Sequence, residues 1–154
     1  DESNQVSIMA FGRELPGERG VYGDITISKA DSTGAIMWST TLNIKGHPVA
    51  VVRTEDNYLA IFNFYEYNIA GEQRVSGNQG RDSALLLAEI SPSGTPRNTT
   101  AVIGQESIYI DRIFNISSDE INLLGYSGLP GNRRGELKYF IVSSNSDILF
   151  HNLR

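Results

Sequence analysis

The sequence contains no cysteine among its 154 residues, which excludes disulfides, thiolate metal sites and a cysteine nucleophile. Histidine is scarce as well: His47 and His151 are the only two, and neither stands in an HxH or HExxH spacing that would indicate a zinc site. The GxSxG motif of serine hydrolases and the GxxxxGK(S/T) and GxGxxG patterns of phosphate-binding loops are also missing. We therefore expect a protein that is not an enzyme and that needs no metal and no cofactor.

Basic patches and long apolar runs are absent too. The chain has 13 Lys and Arg against 18 Asp and Glu, which gives a net charge of −5. A nucleic-acid-binding protein needs clustered basic residues to neutralise phosphates. No apolar run approaches the roughly 20 residues that a membrane-spanning helix requires. We expect neither a nucleic-acid partner nor a membrane span.

Turn-forming residues are what the sequence has in quantity. They cluster roughly every 8 to 14 residues, as in DSTG (31–34) and SPSG (91–94), and short runs rich in Ile, Val, Thr, Tyr and Phe lie between the clusters. Such regular punctuation is typical of all-β domains. Strands are predicted near 7–12, 22–29, 35–43, 48–54, 58–65, 83–90, 96–103, 107–116, 121–127, 136–143 and 147–152.

Individual strands differ in their pattern. Ile25 and Ile27 alternate with hydroxyl side chains, which is the period of a strand with one buried face. YLAIFNF (58–64) is more continuously apolar, as expected for a strand covered on both faces. DSALLLAEIS (82–91) argues against an all-β domain, because it holds good helix formers and begins with an Asp suited to an N-cap.

An internal repeat reverses the helix interpretation of 82–91. Three pairs of segments are similar: 15–17 with 129–131 (both Leu-Pro-Gly), 22–40 with 80–98, and 51–64 with 113–127. The order cycles through a strand, a Gly-rich loop, a strand, a Gly turn, a strand and an acidic turn. A four-strand unit of roughly 50 to 60 residues is the signature of β-propeller blades, in which neighbouring sheets cover each other. The repeat therefore predicts a strand at 82–91 that is buried on both faces.

At these residues the chain resembles a bacterial β-propeller repeat family of secreted and cell-surface proteins. Blades of that family read Gly-Asp, an alternating strand, a Lys-x-Asp, a Gly turn and a Trp. GDITISKADSTGAIMW (23–38) carries the first half of the pattern and VVRTEDNYLAIFNF (51–64) the second. The resemblance implies antiparallel four-stranded sheets in a propeller-like array of about three blades. It also implies an extracellular or cell-envelope location, with any lipid anchor attached through a residue outside this sequence.

The number of strands leaves the closure of the array open. Eleven predicted strands make just under three blades, whereas closed propellers have about four to eight. Three arrangements are open for residues 1–154, which we interpret as one β-repeat domain. The domain is a piece of a longer propeller, or several copies assemble into one ring, or the strands form a different barrel or sandwich. Because an open array exposes strand edges and an apolar face, we expect another protein chain or self-association to cover them.

Most of the candidate binding residues lie in or beside the longest predicted loop, and Arg133 and Arg134 lie in the Gly-rich loop 130–135. Residues 66–81 exceed the usual hairpin connection, and loops of that length tend to carry function. Alternation places Phe62 and Phe64 together on one face, where core packing is expected, and the tyrosines that follow at the loop mouth, as a stacking platform for sugar rings or a protein. The residues proposed for binding are Tyr65, Tyr67, Arg74, Arg81, Arg133 and Arg134.

The remaining polar residues have ordinary structural interpretations. His47, in KGHP, is interpreted as a solvated loop residue, and His151 as a tail or edge-strand residue. The acidic residues at 55–56 and 119–120 and Asp31 recur at repeat positions, which favours turn formation. A glycosidase would need two carboxyl groups at a defined separation.

The sequence as a whole predicts a non-enzymatic binding or accessory subunit of a bacterial cell-envelope or extracellular assembly. It would act as a rigid β scaffold for protein–protein contact. The alternative is a domain that binds or processes carbohydrate through the aromatic run and the turn acids. A third option is a purely structural segment of a larger propeller.

Overall fold

The structure is a computed structural model that describes residues 7–17, 21–54, 56–68, 75–76, 84–103, 106–116, 120–128, 136–143 and 148–152. Every regular element within these ranges is a β-strand. The strands are β1 (Ser7–Glu14), β2 (Tyr22–Ala30), β3 (Ile36–Arg53), β4 (Tyr58–Asn68), β5 (Val75–Ser76), β6 (Ala84–Ile90), β7 (Pro96–Val102), β8 (Ser107–Ile116), β9 (Glu120–Gly128), β10 (Glu136–Ser143) and β11 (Ile148–Asn152). All pairings are antiparallel, so the predicted all-β, antiparallel fold class is confirmed.

The strands form two hydrogen-bonded sheets. The larger sheet has the order β1-β2-β3-β4-β6-β7, with the short β5 paired to β4. The smaller sheet is a four-stranded meander in the order β11-β10-β9-β8. Nearly all neighbours in space are neighbours in sequence, as the predicted succession of hairpins requires.

The long strand β3 folds the larger sheet back on itself. Its first part, from Ile36 to Gly46, pairs with β2, and its second part, from Asn43 to Arg53, pairs with β4. Two bulges interrupt the second pairing, at Lys45/Gly46 and at Pro48/Ala50. Bulges bend a strand and tolerate a proline that lacks its N–H. Strands predicted separately at 35–43 and 48–54 are therefore one bent strand.

Three layers result from this bend. The first layer holds β1, β2 and the first half of β3; the central layer holds the second half of β3, β4, β6 and β7; the third layer is the smaller sheet. At the bend, a Cβ on Gly46 would lie 2.1 Å from the carbonyl oxygen of Asn63. Only glycine lets the two backbones approach this closely.

The central layer is buried on both faces. A cluster against the first layer contains Ile25, Ile27, Leu42, Ile44, Tyr58, Ala60, Phe62, Phe64, Ala84, Leu86, Ala88 and Ile90. A cluster against the third layer contains Val52, Leu59, Ile61, Leu85, Leu87, Ile108, Ile110, Ile121, Leu123 and Phe140. The predicted pairing of Phe62 with Phe64 on one buried face is confirmed, since neither exposes any surface.

The segment with the strongest helix propensity is the buried strand β6. Its residues Ala84–Ala88 and Ile90 are buried, and alternate side chains enter the two opposite clusters. Burying one Leu contributes about 1.5–3 kcal/mol, whereas helix propensity differs by only a few tenths of a kcal/mol per residue. Two-sided burial therefore decides the conformation here, and the predicted strand at 82–91 is confirmed over 84–90.

The Gly turns of the first two repeats have the same geometry. In the first turn, Asp31 N–H donates to the carbonyl of Ala35 at 3.0 Å, and in the second, Ser91 N–H donates to that of Thr95 at 2.8 Å. Gly34 and Gly94 hold the same place, with φ of 85° and 89°. Similar sequence thus gives the same backbone hydrogen bonds in two turns that lie 60 residues apart.

Trp38 joins the first layer to the turn of the central layer. Its indole Nε1–H donates to the carbonyl of Pro92 at 2.9 Å. Its ring lies against Gly94, where a Cβ would come within 2.7 Å of it. The ring of Tyr58 is 5.8 Å away between centroids, and the Lys29 ammonium lies 5.4 Å from the Tyr58 centroid. Trp38 of the first layer therefore packs on the Gly94 turn of the central layer.

Cross-strand pairs show which faces of the layers meet. Ala10–Ile27 of the first layer faces the central layer, and Ile61–Leu87 of the central layer faces the third layer. Leu123–Phe140 of the third layer faces back to the central layer.

Candidate functional site

Three tyrosine rings from the three layers meet around His47. The rings of Tyr22 (β2), Tyr65 (β4) and Tyr109 (β8) lie 6.1, 6.0 and 6.2 Å from the imidazole between centroids. All three present edges to faces, an arrangement that is favourable for aromatic quadrupoles. We call these four residues the tyrosine cluster.

Strand bulges place the residues of the cluster. Tyr65 is the extra residue at a bulge, since Gly46 lies opposite Phe64 and Lys45 lies opposite Glu66. An extra residue re-aims the side chains beside it, which brings Tyr65 toward His47. Tyr22 lies opposite Gly46 in the other ladder of β3 and approaches the same imidazole.

Asn63 brings Tyr109 to the cluster. Asn63 lies opposite His47 in the β3–β4 ladder and is 1% exposed. Its Nδ2 donates to the carbonyl of Ile110, and its Oδ1 accepts the N–H of Ile110, both at 2.7 Å. The neighbouring Tyr109 is thereby held against the imidazole, although it belongs to the other sheet.

Burial lowers the pKa of His47 below its ordinary value of 6.5. The neutral imidazole is therefore the form that packs between the tyrosine rings at neutral pH. The interpretation of His47 as a solvated loop residue is wrong, because the residue lies in β3 and is half-buried. The KGHP segment carries two bulges of a continuous strand, which sequence alone cannot distinguish from a turn.

Few of the residues proposed for binding fall in the described part of the chain. Tyr65 does, half-buried in the tyrosine cluster. The backbone of Tyr67 pairs with Ile44 and Val75, but its side chain lies outside the described residues. So do Arg74, Arg81, Arg133 and Arg134.

Sequence reasoning missed two members of the cluster, Tyr22 and Tyr109. Tyr22 directly precedes the Gly-Asp of the repeat, which is the one local signal near it. Tyr109 stands in an ordinary strand pattern. Their convergence depends on the register of β3 against both β2 and β4 and on the contact of β8 with β4. None of these is encoded in a local pattern.

A second aromatic surface continues from Tyr109 over the third layer. Tyr109 lies opposite Tyr126, which lies opposite Leu137, and the three are 43%, 45% and 39% exposed. Phe114, 70% exposed, packs edge-on against Tyr139, with 6.3 Å between ring centroids. We call this surface, with the partly buried Leu124, the outer face.

Two of the described carboxylates, Asp31 and Glu106, accept hydrogen bonds that hold local structure. Asp31 Oδ1 accepts hydrogen bonds from the Thr33 hydroxyl and from the backbone N–H of Thr33 and Ala35, which lowers the pKa of Asp31. Glu106 accepts bonds from the Ser127 hydroxyl and from Lys138 Nζ, and its pKa is lowered as well. The predicted turn-forming role is confirmed for Asp31. Within the described ranges, no three His, Asp or Glu side chains group as metal ligands would.

An open depression adjoins the cluster at the β1–β2 turn. It is lined by Glu14, Leu15, Pro16 and Gly17, and Glu14 lies opposite Tyr22 in the ladder.

No helix long and apolar enough to cross a membrane occurs in the part of the chain that the structure describes.

Comparison with known proteins found no matching family model, no matching curated protein and no matching solved structure.

Proposed function

We propose that the protein is a non-enzymatic binding subunit that contacts a partner protein through the tyrosine cluster. The observation that carries this proposal is the convergence of three tyrosine rings from three layers on a neutral imidazole, with Tyr109 43% exposed. The scaffold that holds them has two-sided burial in its central layer, so the rings are set on rigid strands.

The chemistry of the cluster suits protein contact. Tyrosine combines a large apolar ring with a polar tip and loses little conformational entropy on binding, since it has only two side-chain torsions. Such residues dominate the energy of protein interfaces. The neutral His47 adds an amphipathic ring and no charge that would have to be desolvated.

We further propose that the three layers are copies of one ancestral sheet, arranged in a propeller-like array. The matching turns at Asp31–Ala35 and Ser91–Thr95 support common descent of the first two layers. An extracellular or cell-envelope setting follows from the repeat resemblance and belongs to the same proposal.

A second candidate function is carbohydrate binding. It is favoured by Tyr109 and Tyr126, which lie directly opposite each other on adjacent strands and are nearly half exposed. Neighbouring rings on a sheet surface can stack on successive sugar units through their apolar faces.

Site-specific photo-crosslinking in cells that produce the protein tests the leading proposal. A benzophenone amino acid at position 65 is expected to give one defined protein adduct. The same probe at Ser39, exposed on the first layer, is the matched control and should give none. Tyr109→Ala should abolish the adduct at 65. Absence of an adduct, or equal adducts at 39 and 65, would contradict the proposal.

A glycan array separates the second candidate from the first. Binding to a defined glycan that is lost in both Tyr109→Ala and Tyr126→Ala would favour carbohydrate recognition. Binding that persists in both variants, or no binding at all, would remove it.

A further inference from the structure

We propose that His47 makes the tyrosine cluster a pH-sensitive contact. At neutral pH the four rings stay packed and present Tyr109 to the partner protein, and in acid the Tyr109 side chain leaves the cluster and the contact is lost. This inference rests on the proposed partner contact and adds its regulation. The release of Tyr109 is a property of this chain alone, so it is measurable without the partner.

The imidazole of His47 is fixed where the three layers meet. Its residue lies opposite Asn63 in the β3–β4 ladder, and the preceding Gly46 lies opposite Phe64. The two strands approach so closely there that a Cβ on Gly46 would collide with the Asn63 carbonyl. The backbone of His47 therefore cannot withdraw, and a change in the charge of its ring acts on the rings around it.

The side chains that face the imidazole are phenols, namely Tyr22 from β2, Tyr65 from β4 and Tyr109 from β8. Phenols ionise near about pH 10, so none of the three is charged between about pH 5 and 8. Histidine changes its charge within that range. Acid therefore places one positive charge among neutral rings.

Charged side chains at adjoining positions do not hold this proton on His47. They are Lys45, Glu66, Glu14, Asp111 and Arg112. The last two pair with each other at 2.7 Å. The pKa of His47 is lowered because the ring is buried, and within the described ranges no carboxylate offsets this effect. Protonation thus favours any arrangement in which the ring meets more water.

The tyrosine rings give the imidazolium little compensation. A cation gains from an aromatic face that lies within about 6 Å of it, and the three ring centroids are at that limit, 6.0 to 6.2 Å from the imidazole. Both nitrogens of the charged ring are hydrogen-bond donors, and aromatic rings are weak acceptors. Water has to enter the cluster to accept these bonds.

Tyr109 is the ring that yields to this water. Its side chain is 43% exposed, whereas Tyr22 and Tyr65 are half-buried, and Tyr22 also packs against the core between the first and central layers. The backbone beside Tyr109 stays in place because Asn63 bonds both backbone groups of Ile110. Rotation of one side chain therefore uncovers the imidazole while the two sheets remain joined.

NMR of the purified chain with ring-labelled tyrosine tests the release. Between about pH 7.5 and 5, the Tyr109 signal should move toward that of a solvent-exposed tyrosine, with the same midpoint as the His47 imidazole. His47→Gln should make the Tyr109 signal independent of pH. Tyr58, which is buried and contacts Trp38 rather than a histidine, is the control and should stay constant.

Three results of this titration would overturn the inference. The Tyr109 signal stays constant while His47 titrates, or it moves equally in His47→Gln, or Tyr58 moves with the same midpoint, which would indicate general unfolding. The comparison of Tyr109 with Tyr58 uses the wild-type chain, so it decides the matter even if the variant fails to fold.

The photo-crosslink at position 65 then tests whether the release controls the contact. In permeabilised cells, the adduct should be lost in acid with the midpoint of the Tyr109 signal and should return at neutral pH. An adduct of equal yield from about pH 7.5 to 5 overturns the regulatory role. No adduct at any pH contradicts the proposed partner contact, whereas the NMR titration decides the release of Tyr109 independently.

Discussion

Asn63 and Ile110 form a closed pair of hydrogen bonds between the two sheets, with the amide of one meeting both backbone groups of the other at 2.7 Å. β8 is an end strand of the smaller sheet, so its outward N–H and C=O groups have no neighbouring strand there. The amide of Asn63 substitutes for that strand at one residue. It thereby fixes the register of the third layer against the central one.

Asn63→Ala should lower the free energy of unfolding by about 2–6 kcal/mol. The substitution leaves the buried N–H and C=O of Ile110 without partners, and each such group costs about 1–3 kcal/mol. Urea or guanidinium denaturation measures the change. Asn98→Ala is the control: its amide donates to Glu89 at 3.0 Å on the exposed surface, and its loss should cost under about 0.5 kcal/mol. Equal effects of the two variants would refute the role given to Asn63.

Gly94→Ala should destabilise the fold more than Gly34→Ala. Both glycines have a positive φ, 89° and 85°, so each substitution costs about 1–2 kcal/mol in backbone strain. Only at Gly94 does the new Cβ also meet an indole, 2.7 Å from Trp38, whereas at Gly34 no atom lies within 4 Å. The difference in unfolding free energy between the two variants isolates this contact. In a Trp38→Leu background the excess cost of Gly94→Ala should vanish, and an excess that persists would place its cause elsewhere.

Stability should fall as the pH drops below about 6.5, in part because of His47. Its folded pKa lies below the ordinary 6.5 because of burial. The unfolded chain therefore binds a proton first as the pH falls. The destabilisation begins near 6.5 and is complete below the folded pKa. An NMR titration of the imidazole protons should give a midpoint below 6.5.

His47→Gln provides the comparison for this pH effect. The variant should lose part of the decline in unfolding free energy between pH 7.5 and 5, and its spectrum assigns the imidazole signals. A His47 midpoint at or above 6.5 would contradict the burial argument.

Local sequence patterns predicted most of the strands because strand period and turn chemistry are local properties. The alternation at Ile25 and Ile27 and the turn at Asp31 needed no knowledge of distant residues. The repeat supplied what local propensity could not at 84–90, where two neighbouring layers override a helical composition. The bend of β3 escaped prediction, because a Gly and a Pro mark a bulge as readily as a turn.

The candidate site was less predictable than the fold. Tyr65 was identified from an aromatic run, but its contact with His47 depends on a one-residue register shift opposite Gly46. Tyr109 is held in the cluster by the hydrogen bonds between Asn63 and Ile110, which lie 47 positions apart in the sequence. The orientation of the third layer also has no local signature, because alternation tells which residues share a face and not which neighbour covers that face.

The shared strand β3 has a consequence for how this architecture can be divided. A copied sequence unit would end between residues 43 and 48, yet the single strand β3 runs through that point and pairs with β2 on one side and β4 on the other. Cutting the chain there would divide β3 and would remove hydrogen-bonding partners from both β2 and β4. A copied unit of the kind proposed above would thus be offset from the hydrogen-bonded sheet, so permutation of this chain would have to keep β3 whole.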